Sequence, residues 1–395
     1  MRPNEDAPLT AAIVGGGFAA GSHVDALRRL SGARPLGLVT SSPDRSRQAA
    51  ARLGLDRAYG SLAELLDDED VDVVHNCTPN RLHHAVTTAA LEAGKHVLSE
   101  KPLAFDLAEA EDLAARARVT DLVTGVCFTY RHFPLVQHAR ALLAAGTLGP
   151  VHLVHGAYLQ DWLLRDDDWN WRLDAETGGA TRAVGDIGSH WIDLAQHVIG
   201  DEIVEVCARL GRLHDERWRP GEIRTFERAD GSDAGASRTR VAVDTEDLAT
   251  AMVRFRRGAV GACTISQVSP GKKNELTIEV DASVSFTWNQ EEPNELRVGR
   301  RDGPDERIVR DPAILTDEAA RLAHYPPGHQ EGWPDALRNL VADFYAAVRA
   351  RRDGADGART VASFEEALQV ARVVDAIVRS DRDQGWADVR EEVSA

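Results

Sequence analysis

Three residues have the types and spacing for proton and charge transfer: Lys101, Asp186 and His190. Lys101 lies in His96-Val97-Leu98-Ser99-Glu100-Lys101-Pro102, an apolar run that delivers a Glu-Lys pair into a proline. Pro102 fixes its own φ and pushes Lys101 out of the α region, so the backbone is extended and the lysine is aimed. A solvated loop lysine is the plain alternative. Asp186 and His190 stand four residues apart in Gly185-Asp186-Ile187-Gly188-Ser189-His190-Trp191-Ile192-Asp193-Leu194. There Ile187, Trp191, Leu194 and Val198 mark the buried face of a helix. One helical turn sets the carboxylate and the imidazole on one face. A carboxylate so placed orients the ring and supports its charged form, as general acid–base work requires. Asp186 is equally a natural N-cap for that helix.

The elements around Lys101 read as strands and helices in alternation. Leu9 to Val14 is a short apolar strand, followed by Gly15-Gly16-Gly17-Phe18-Ala19-Ala20-Gly21 and a helix carrying Val24, Leu27 and Leu30. Gly15 permits the tight turn, and Gly17 lets the backbone approach a pyrophosphate. Ala20 takes the close-packing third slot. The helix start offers its N–H groups to the phosphates, so Gly15, Gly17, Phe18 and Ala19 are candidate cofactor contacts. The second strand, 35–39, ends in Thr40-Ser41-Ser42-Pro43-Asp44-Arg45. Hydroxyls replace the acidic residue that usually grips the ribose diol of NAD. With Arg45 and Arg47 they suit a 2′-phosphate, which favours NADP over NAD. Ser42 as N-cap, Pro43 at N1 and Asp44 in the first turn also make an ordinary helix start.

A valine-rich run, Val71 to Cys77, reads as a central parallel strand ending in Thr78-Pro79-Asn80, with His83 three residues on. A helix to Ala93 and the strand His96 to Ser99 follow, then Glu100 and Lys101. Gly15, Thr40, Thr78 and Lys101 all fall at carboxyl ends of strands, where open α/β sheets bind ligands. A helix from Leu107 to Ala117 and a strand from Leu122 to Cys127 complete a first domain over 1–127.

After Phe128 the pattern changes, and 128–395 reads as a second, α+β domain. A helix spans Leu135 to Ala145. Strand-like runs at 151–159, 203–213, 247–256, 258–267, 274–281 and 294–300 predict a large, mostly antiparallel sheet. Helices return at Asp335 to Ala350 and Phe364 to Arg379. The polar stretch 214–240 predicts a mobile hairpin tip or insertion. Gln160, Asp161 and Trp162 open a loop that goes on to Trp169, Trp171 and Arg172. Flat apolar rings with polar edges suit a sugar, though the same tryptophans would also pin a long loop.

Bulk composition narrows the classes. The chain has 395 residues, 43% of them hydrophobic and 28% charged, ordinary for a globular protein of two or three domains. A net charge of −17, from 46 basic and 63 acidic residues, argues against nucleic acid or an anionic membrane as partner. Cys77, Cys127, Cys207 and Cys263 are dispersed in apolar runs and form no metal-type pair, so no metal is expected. They read as reduced, in a cytoplasmic setting. The polar first ten residues are not a signal peptide, and no run approaches the ~18 apolar residues of a membrane span.

With these residues in place, nearly the whole chain resembles the Gfo/Idh/MocA oxidoreductases, the family of glucose–fructose oxidoreductase and inositol dehydrogenase. The resemblance is carried by the glycine turn with its later histidine, Thr78-Pro79-Asn80 with His83, Glu100-Lys101-Pro102, Tyr130-Arg131 and Asp186-Ile187-Gly188-Ser189-His190. Gly328-His329-Gln330-Glu331-Gly332-Trp333 is similar to a stretch of sugar-active members. The resemblance implies a Rossmann domain, an open-faced α+β domain, and a homo-oligomer, dimer or tetramer, paired through the large sheet. It implies that Lys101 contacts substrate and cofactor, His190 accepts the proton, Asp186 binds or orients, and Tyr130, Arg131 and His329 join the substrate residues. The expected activity is NAD(P)-dependent hydride transfer to or from a sugar, polyol or sugar derivative. A redox-neutral glycosidase or lyase on the same fold, and a non-catalytic dinucleotide sensor, are the alternatives.

Overall fold

A computed structural model describes residues 8–221, 238–355 and 360–390. The first compact unit comprises residues 1–129 and 333–368, and the second 130–332 and 369–395. Residues 333–368, which the sequence reading groups with the second domain, therefore belong to the first unit.

The first unit is built on six parallel strands: β1 (Leu9–Val14), β2 (Ala33–Val39), β3 (Arg57–Ala58), β4 (Val73–Asn76), β5 (His96–Ser99) and β6 (Thr124–Val126). Their order is β3-β2-β1-β4-β5-β6. The order reverses direction between β1 and β4, the switch point at which such sheets bind ligands. β4 and β5 are buried at every position, as strands covered on both faces must be. Helices Phe18–Arg28, Pro43–Leu53, His83–Glu92 and Leu107–Val119 connect them. The sequence-distant helix Trp333–Arg352 closes one face. Its Leu337, Leu340, Val341, Phe344 and Val348 share a core with Ala20, Val24 and Leu27 of the first helix and Ile13 and Leu38 of the sheet. Its 3.6-residue periodicity made it legible as a helix, but its partner was not.

The second unit holds a hairpin and one large sheet. Its strands are β7 (Leu153–Leu159), β8 (Ile203–Gly211), β9 (Glu216–Pro220), β10 (Arg238–Ala242), β11 (Leu248–Phe255), β12 (Val260–Ser266), β13 (Glu275–Asp281), β14 (Ser285–Asn289), β15 (Glu295–Gly299), β16 (Glu306–Val309) and β17 (Trp386–Asp388). β9 and β10 pair antiparallel with each other; residues 222–237, on which the expected mobile tip or insertion falls, lie outside the described residues. The nine-stranded sheet runs β16-β15-β14-β13-β7-β12-β11-β8-β17. Only β7 and β12 pair in parallel, so the sheet is mostly antiparallel as expected. β11 alternates buried and exposed residues, the mark of one covered face and one open face. Helix Ser189–Ile199 packs on the covered face, where the Trp191 indole donates to Thr277 O at 3.2 Å. Gly156 makes that approach feasible: a Cβ there would lie 2.9 Å from the same indole nitrogen. β14, β16 and β17, of five, four and three residues, escaped the sequence reading.

Among the described residues, no helix is long and apolar enough to cross a membrane. The four cysteines are free thiols, three of them buried.

Candidate active site

Each unit assembles its own group of candidate residues. In the first, Gly15 has φ +125°, and a Cβ would lie 2.4 Å from the Cys77 carbonyl oxygen, so only glycine fits. The space at Gly17 is open within 4 Å of the corresponding position. Gly17 stands at the cap of helix Phe18–Arg28 with no side-chain hydrogen bond there, and helix starts that follow a glycine turn are suited to phosphate. Phe18 is 59% exposed and stacks on Trp333 at 5.7 Å. Ala19 packs against the core. This glycine cradle and its uncapped helix start fit the pyrophosphate of a dinucleotide.

At the end of β2, the Thr40 N–H donates to Ser46 Oγ at 2.9 Å and the Thr40 hydroxyl to Ser42 O at 3.3 Å. Ser42 caps the next helix by accepting from Arg45 N at 3.3 Å, so its bland role is real. The Arg45 guanidinium donates to Ser41 Oγ at 3.2 Å on the surface. Asp44 is taken up by Arg47.

Behind β4, Asn76 organises the turn. Its Oδ1 accepts from the Thr78 hydroxyl at 2.7 Å, and its amide donates to His83 O at 3.0 Å. His83 is buried, with Nε2 2.9 Å from Thr78 O and Nδ1 2.7 Å from Pro102 O. It clamps the Thr78-Pro79-Asn80 turn to the segment that follows Lys101, and so acts on the lysine's backbone rather than on a ligand. Burial lowers the His83 pKa, against the pull of those two carbonyls. Pro79 leads into the short 3₁₀ turn Asn80–Leu82. Glu100 accepts the Lys101 N–H at 3.1 Å.

In the second unit, a π-helical turn at Val184–Gly188 runs directly into helix Ser189–Ile199. The expectation that Asp186 caps this helix is corrected. Gly188 stands at the cap with helical dihedrals, and Asp186 N donates inward to Arg182 O at 2.7 Å. The Asp186 carboxylate accepts instead from Gln267 Nε2 at 2.9 Å and faces Arg172 Nε at 3.1 Å. Arg182 donates to Gln267 Oε1 at 3.2 Å, which fixes the Gln267 amide with its nitrogen toward Asp186. Arg182 is held in turn by Asp247, which also accepts from Arg217 at 2.8 Å; all three are buried. π turns mark functional positions in helices. Here the turn puts a carboxylate with two cationic or amide partners ahead of His190.

His190 is 9% exposed and stands edge-to-face with Tyr130, ring centres 4.8 Å apart. Tyr130, Tyr158 and Asn274 close a ring of hydrogen bonds. The Tyr158 hydroxyl donates to Asn274 Oδ1 at 2.6 Å, Asn274 Nδ2 donates to the Tyr130 oxygen at 3.2 Å, and the Tyr130 hydroxyl lies 2.6 Å from the Tyr158 oxygen. Burial first, and then the Asp186 charge among smaller causes, raise both phenol pKa values, so both remain hydrogen donors. Gln160 extends the ring, donating to Asn274 Oδ1 at 2.8 Å and accepting from the Trp162 indole at 2.6 Å. Tyr158, Asn274 and Gln267 were missed in the sequence. Tyr158 sits in an ordinary strand and the two amides in unremarkable turns; only the sheet register brings them here.

The remaining candidates divide. Trp162 and Trp169 pack against Leu163, Leu173 and Val243, which is the loop-pinning role. Trp171 carries the Arg172 guanidinium 4.4 Å over its ring. Asp161 accepts from Gly271 N at 3.1 Å and Lys273 Nζ at 2.5 Å, tying two loops. Arg131, expected at substrate, is buried and bidentate to Asp193 at 2.8 and 2.5 Å, so it anchors the helix of His190. His329, also expected there, sits on an exposed turn, its Nδ1 3.3 Å from Pro326 O and its carbonyl accepting from Arg310.

Comparison with known proteins decides the class. A family model described as an oxidoreductase family with an NAD-binding Rossmann fold matches residues 9–128, and the GFO/IDH/MocA C-terminal domain matches 136–284. Levoglucosan dehydrogenase of Pseudarthrobacter phenanthrenivorans is 30% identical over 96% of this chain and 98% of that protein. The chain belongs to the Gfo/Idh/MocA oxidoreductases. Among solved structures, an oxidoreductase domain protein from Kribbella flavida matches with TM-score 0.85 and 33% identity, covering 97% of this chain and 100% of that one. A levoglucosan dehydrogenase in complex with NADH and levoglucosan matches with TM-score 0.84 and 28% identity, covering 98% and 100%. As a Gfo/Idh/MocA member the protein is an NAD-binding oxidoreductase.

Proposed function

We propose that this chain is an NAD(P)-dependent dehydrogenase or reductase acting on a sugar, polyol or sugar derivative. The observation that carries the reading is the Asp186–His190 turn, with its carboxylate held by Gln267 and Arg172 and its imidazole walled by Tyr130. The relatives named for levoglucosan support a carbohydrate substrate. In the oxidative direction His190 takes the hydroxyl proton on its imidazole, and Asp186 orients the ring and favours its charged form. Lys101 holds the hydroxyl oxygen and stabilises its developing negative charge. The dinucleotide, when bound, supplies the hydride acceptor. Trp171 and the polar edges of Gln160, Arg172 and Asn274 suit the faces and hydroxyls of a sugar ring.

The cofactor reading leans to NADP. Thr40, Ser41 and Ser42 offer no carboxylate for a ribose diol, and the Ser41–Arg45 pair presents a hydroxyl and a guanidinium suited to a phosphate. A homo-oligomer through the open face of the large sheet fits the register: Met252 pairs with Cys207, which pairs with Trp386, so the exposed Met252 and Trp386 share that face. Free buried thiols suit a cytoplasmic protein.

The test is a panel of anhydrosugars, aldoses, ketoses and inositols with NAD and with NADP, followed by absorbance of the reduced cofactor. Turnover with at least one carbohydrate is expected. Tight dinucleotide binding without net oxidation or reduction of any member would overturn the reading.

A further inference from the structure

The first unit buries a chain of polar groups for which the reaction above has no use. His23, on helix Phe18–Arg28, is fully buried. Its Nε2 lies 3.2 Å from Glu100 Oε1, and its Nδ1 lies 2.7 Å from Nδ1 of His75 on β4. Nε2 of His75 is 3.0 Å from the hydroxyl of Tyr345, on helix Trp333–Arg352. The other Glu100 oxygen accepts the N–H of Lys101. Two helices and two strands thus converge on the residue immediately before the lysine.

Proton counting limits what the chain can be. A carboxylate only accepts, so His23 Nε2 carries a hydrogen. The Nδ1–Nδ1 contact holds one more. Either His23 supplies it and is an imidazolium, or His75 supplies it and both rings are neutral. The titratable groups that face His23 are His75, Glu100 and the thiols of Cys77 and Cys127, the last with Sγ 3.6 Å from Nε2; Lys101 lies beyond Glu100. The Glu100 side chain is 19% exposed, and a carboxylate so largely withdrawn from water calls for a compensating charge beside it.

We propose that His23 is a buried imidazolium that neutralises Glu100, so that Glu100 does not cancel the positive charge Lys101 directs at the substrate oxygen. This rests on the reading of Lys101 as the group that holds that oxygen. His23, His75 and Tyr345 are then positioning residues that act through Glu100. The protonation balance agrees. Burial opposes a charge on His23, yet its neighbours hold its pKa well above the ordinary range; with the Cys77 and Cys127 thiols kept protonated by burial, the neighbour that is anionic at neutral pH is the Glu100 carboxylate at 3.2 Å. Burial, and then the His23 charge, hold His75 well below it, which makes His75 the acceptor. Burial opposes the Glu100 charge too, but His23 and Lys101 bring its pKa down to about 2.

The direct test is nitrogen–proton correlation NMR of the imidazoles in the full chain, assigned with His23→Gln and His75→Gln. Both ring nitrogens of His23 should carry hydrogen at neutral pH, and His75 only one. A singly protonated His23 overturns the proposal. Kinetics give an independent reading. His23→Gln keeps an amide donor toward Glu100 but removes the charge. The alkaline limb of the kcat/KM profile should then move up by about one pH unit or more, since a carboxylate within ~4–6 Å favours a neighbouring cation by about one to three units. Adding Glu100→Gln to that variant should return the limb to its wild-type position. An unmoved limb in His23→Gln overturns the proposal. A Lys101→Met variant with full turnover would sink the reading of Lys101 instead, and would leave the imidazole spectrum unchanged.

Discussion

Both units bury imidazoles, but among the described residues only the second adds buried guanidinium–carboxylate clusters. In the first, His23, His75 and His83 are nearly inaccessible and His96 is 8% exposed; in the second, His132, His138, His190 and His197 are buried as well. The second unit's clusters are Arg182 and Arg217 on Asp247, Arg131 on Asp193, and Arg310 on Glu331. A guanidinium keeps its charge at any working pH, while an imidazole changes charge near neutrality. The second unit's clusters are thus fixed in charge down to the acid range, where carboxylates protonate, and they hold Gln267 and the helix of His190 in place. The first unit buries no arginine among the described residues, so charge fixed by guanidinium–carboxylate pairing is what separates the two interiors.

The largest expected effect asks whether the two halves serve one reaction. Lys101→Met in the first unit and His190→Asn in the second should each lower turnover by roughly 10²–10⁴, the scale for a positioned acid–base or oxyanion-type group. Dinucleotide binding by Lys101→Met should survive, because the glycine cradle is untouched. Near wild-type turnover by both variants would dissolve the link between the halves.

A stability measurement breaks the comparison from the side of the second unit. Asp247→Asn strands two buried guanidiniums and should cost about 3–5 kcal/mol in denaturant unfolding. It should also disturb Asp186, since Arg182 positions Gln267. A loss under about 1 kcal/mol would mean that packing, not the cluster, holds this region.

His96 sharpens the contrast from the first unit. Burial, and then the Arg352 charge, depress its pKa to about 4, while its Nδ1 accepts the Val123 N–H at 2.9 Å. The unfolded chain takes up this proton near pH 6.5, before the folded one does. The contribution, about 3 kcal/mol, is therefore complete above pH ~6.5 and is lost as pH falls from there through about 4. His96→Asn should flatten stability across that window; an unchanged slope would place the pH response elsewhere.

The smallest effect concerns the cofactor's ribose. If Ser41 and Arg45 hold a 2′-phosphate, Arg45→Ala should weaken NADP binding by about ten- to a hundred-fold and NAD binding little, the scale of a charged hydrogen-bonded contact. Equal losses for the two cofactors would leave these residues as helix-start and surface groups.

The parallel strands, the glycine turn and Lys101 were legible because their signals are local. Continuous valine-rich runs, a glycine that no side chain can replace and a proline after the lysine all act within a few residues of themselves. The α+β class of the second half was legible for the same reason, from alternation along single strands. The surroundings of Asp186 were not. The sequence offers it both as a partner of His190 and as a helix cap, and it is Gln267, 81 residues on, that holds its carboxylate away from the cap. Arg131 looked available to substrate until Asp193, 62 residues on, engaged its Nε and one terminal nitrogen.

What the sequence by itself determined is the kind of each element and the chemistry each could offer, since periodicity, turn propensity and ionisation belong to short stretches of chain. Which groups meet was decided by the tertiary structure. Tyr345 reaches His75 across 270 residues, and Asn274 reaches Tyr130 across 144, through helix docking and strand register. Register and docking follow from how whole faces pack, and a one-residue slip would turn every such side chain to the opposite face.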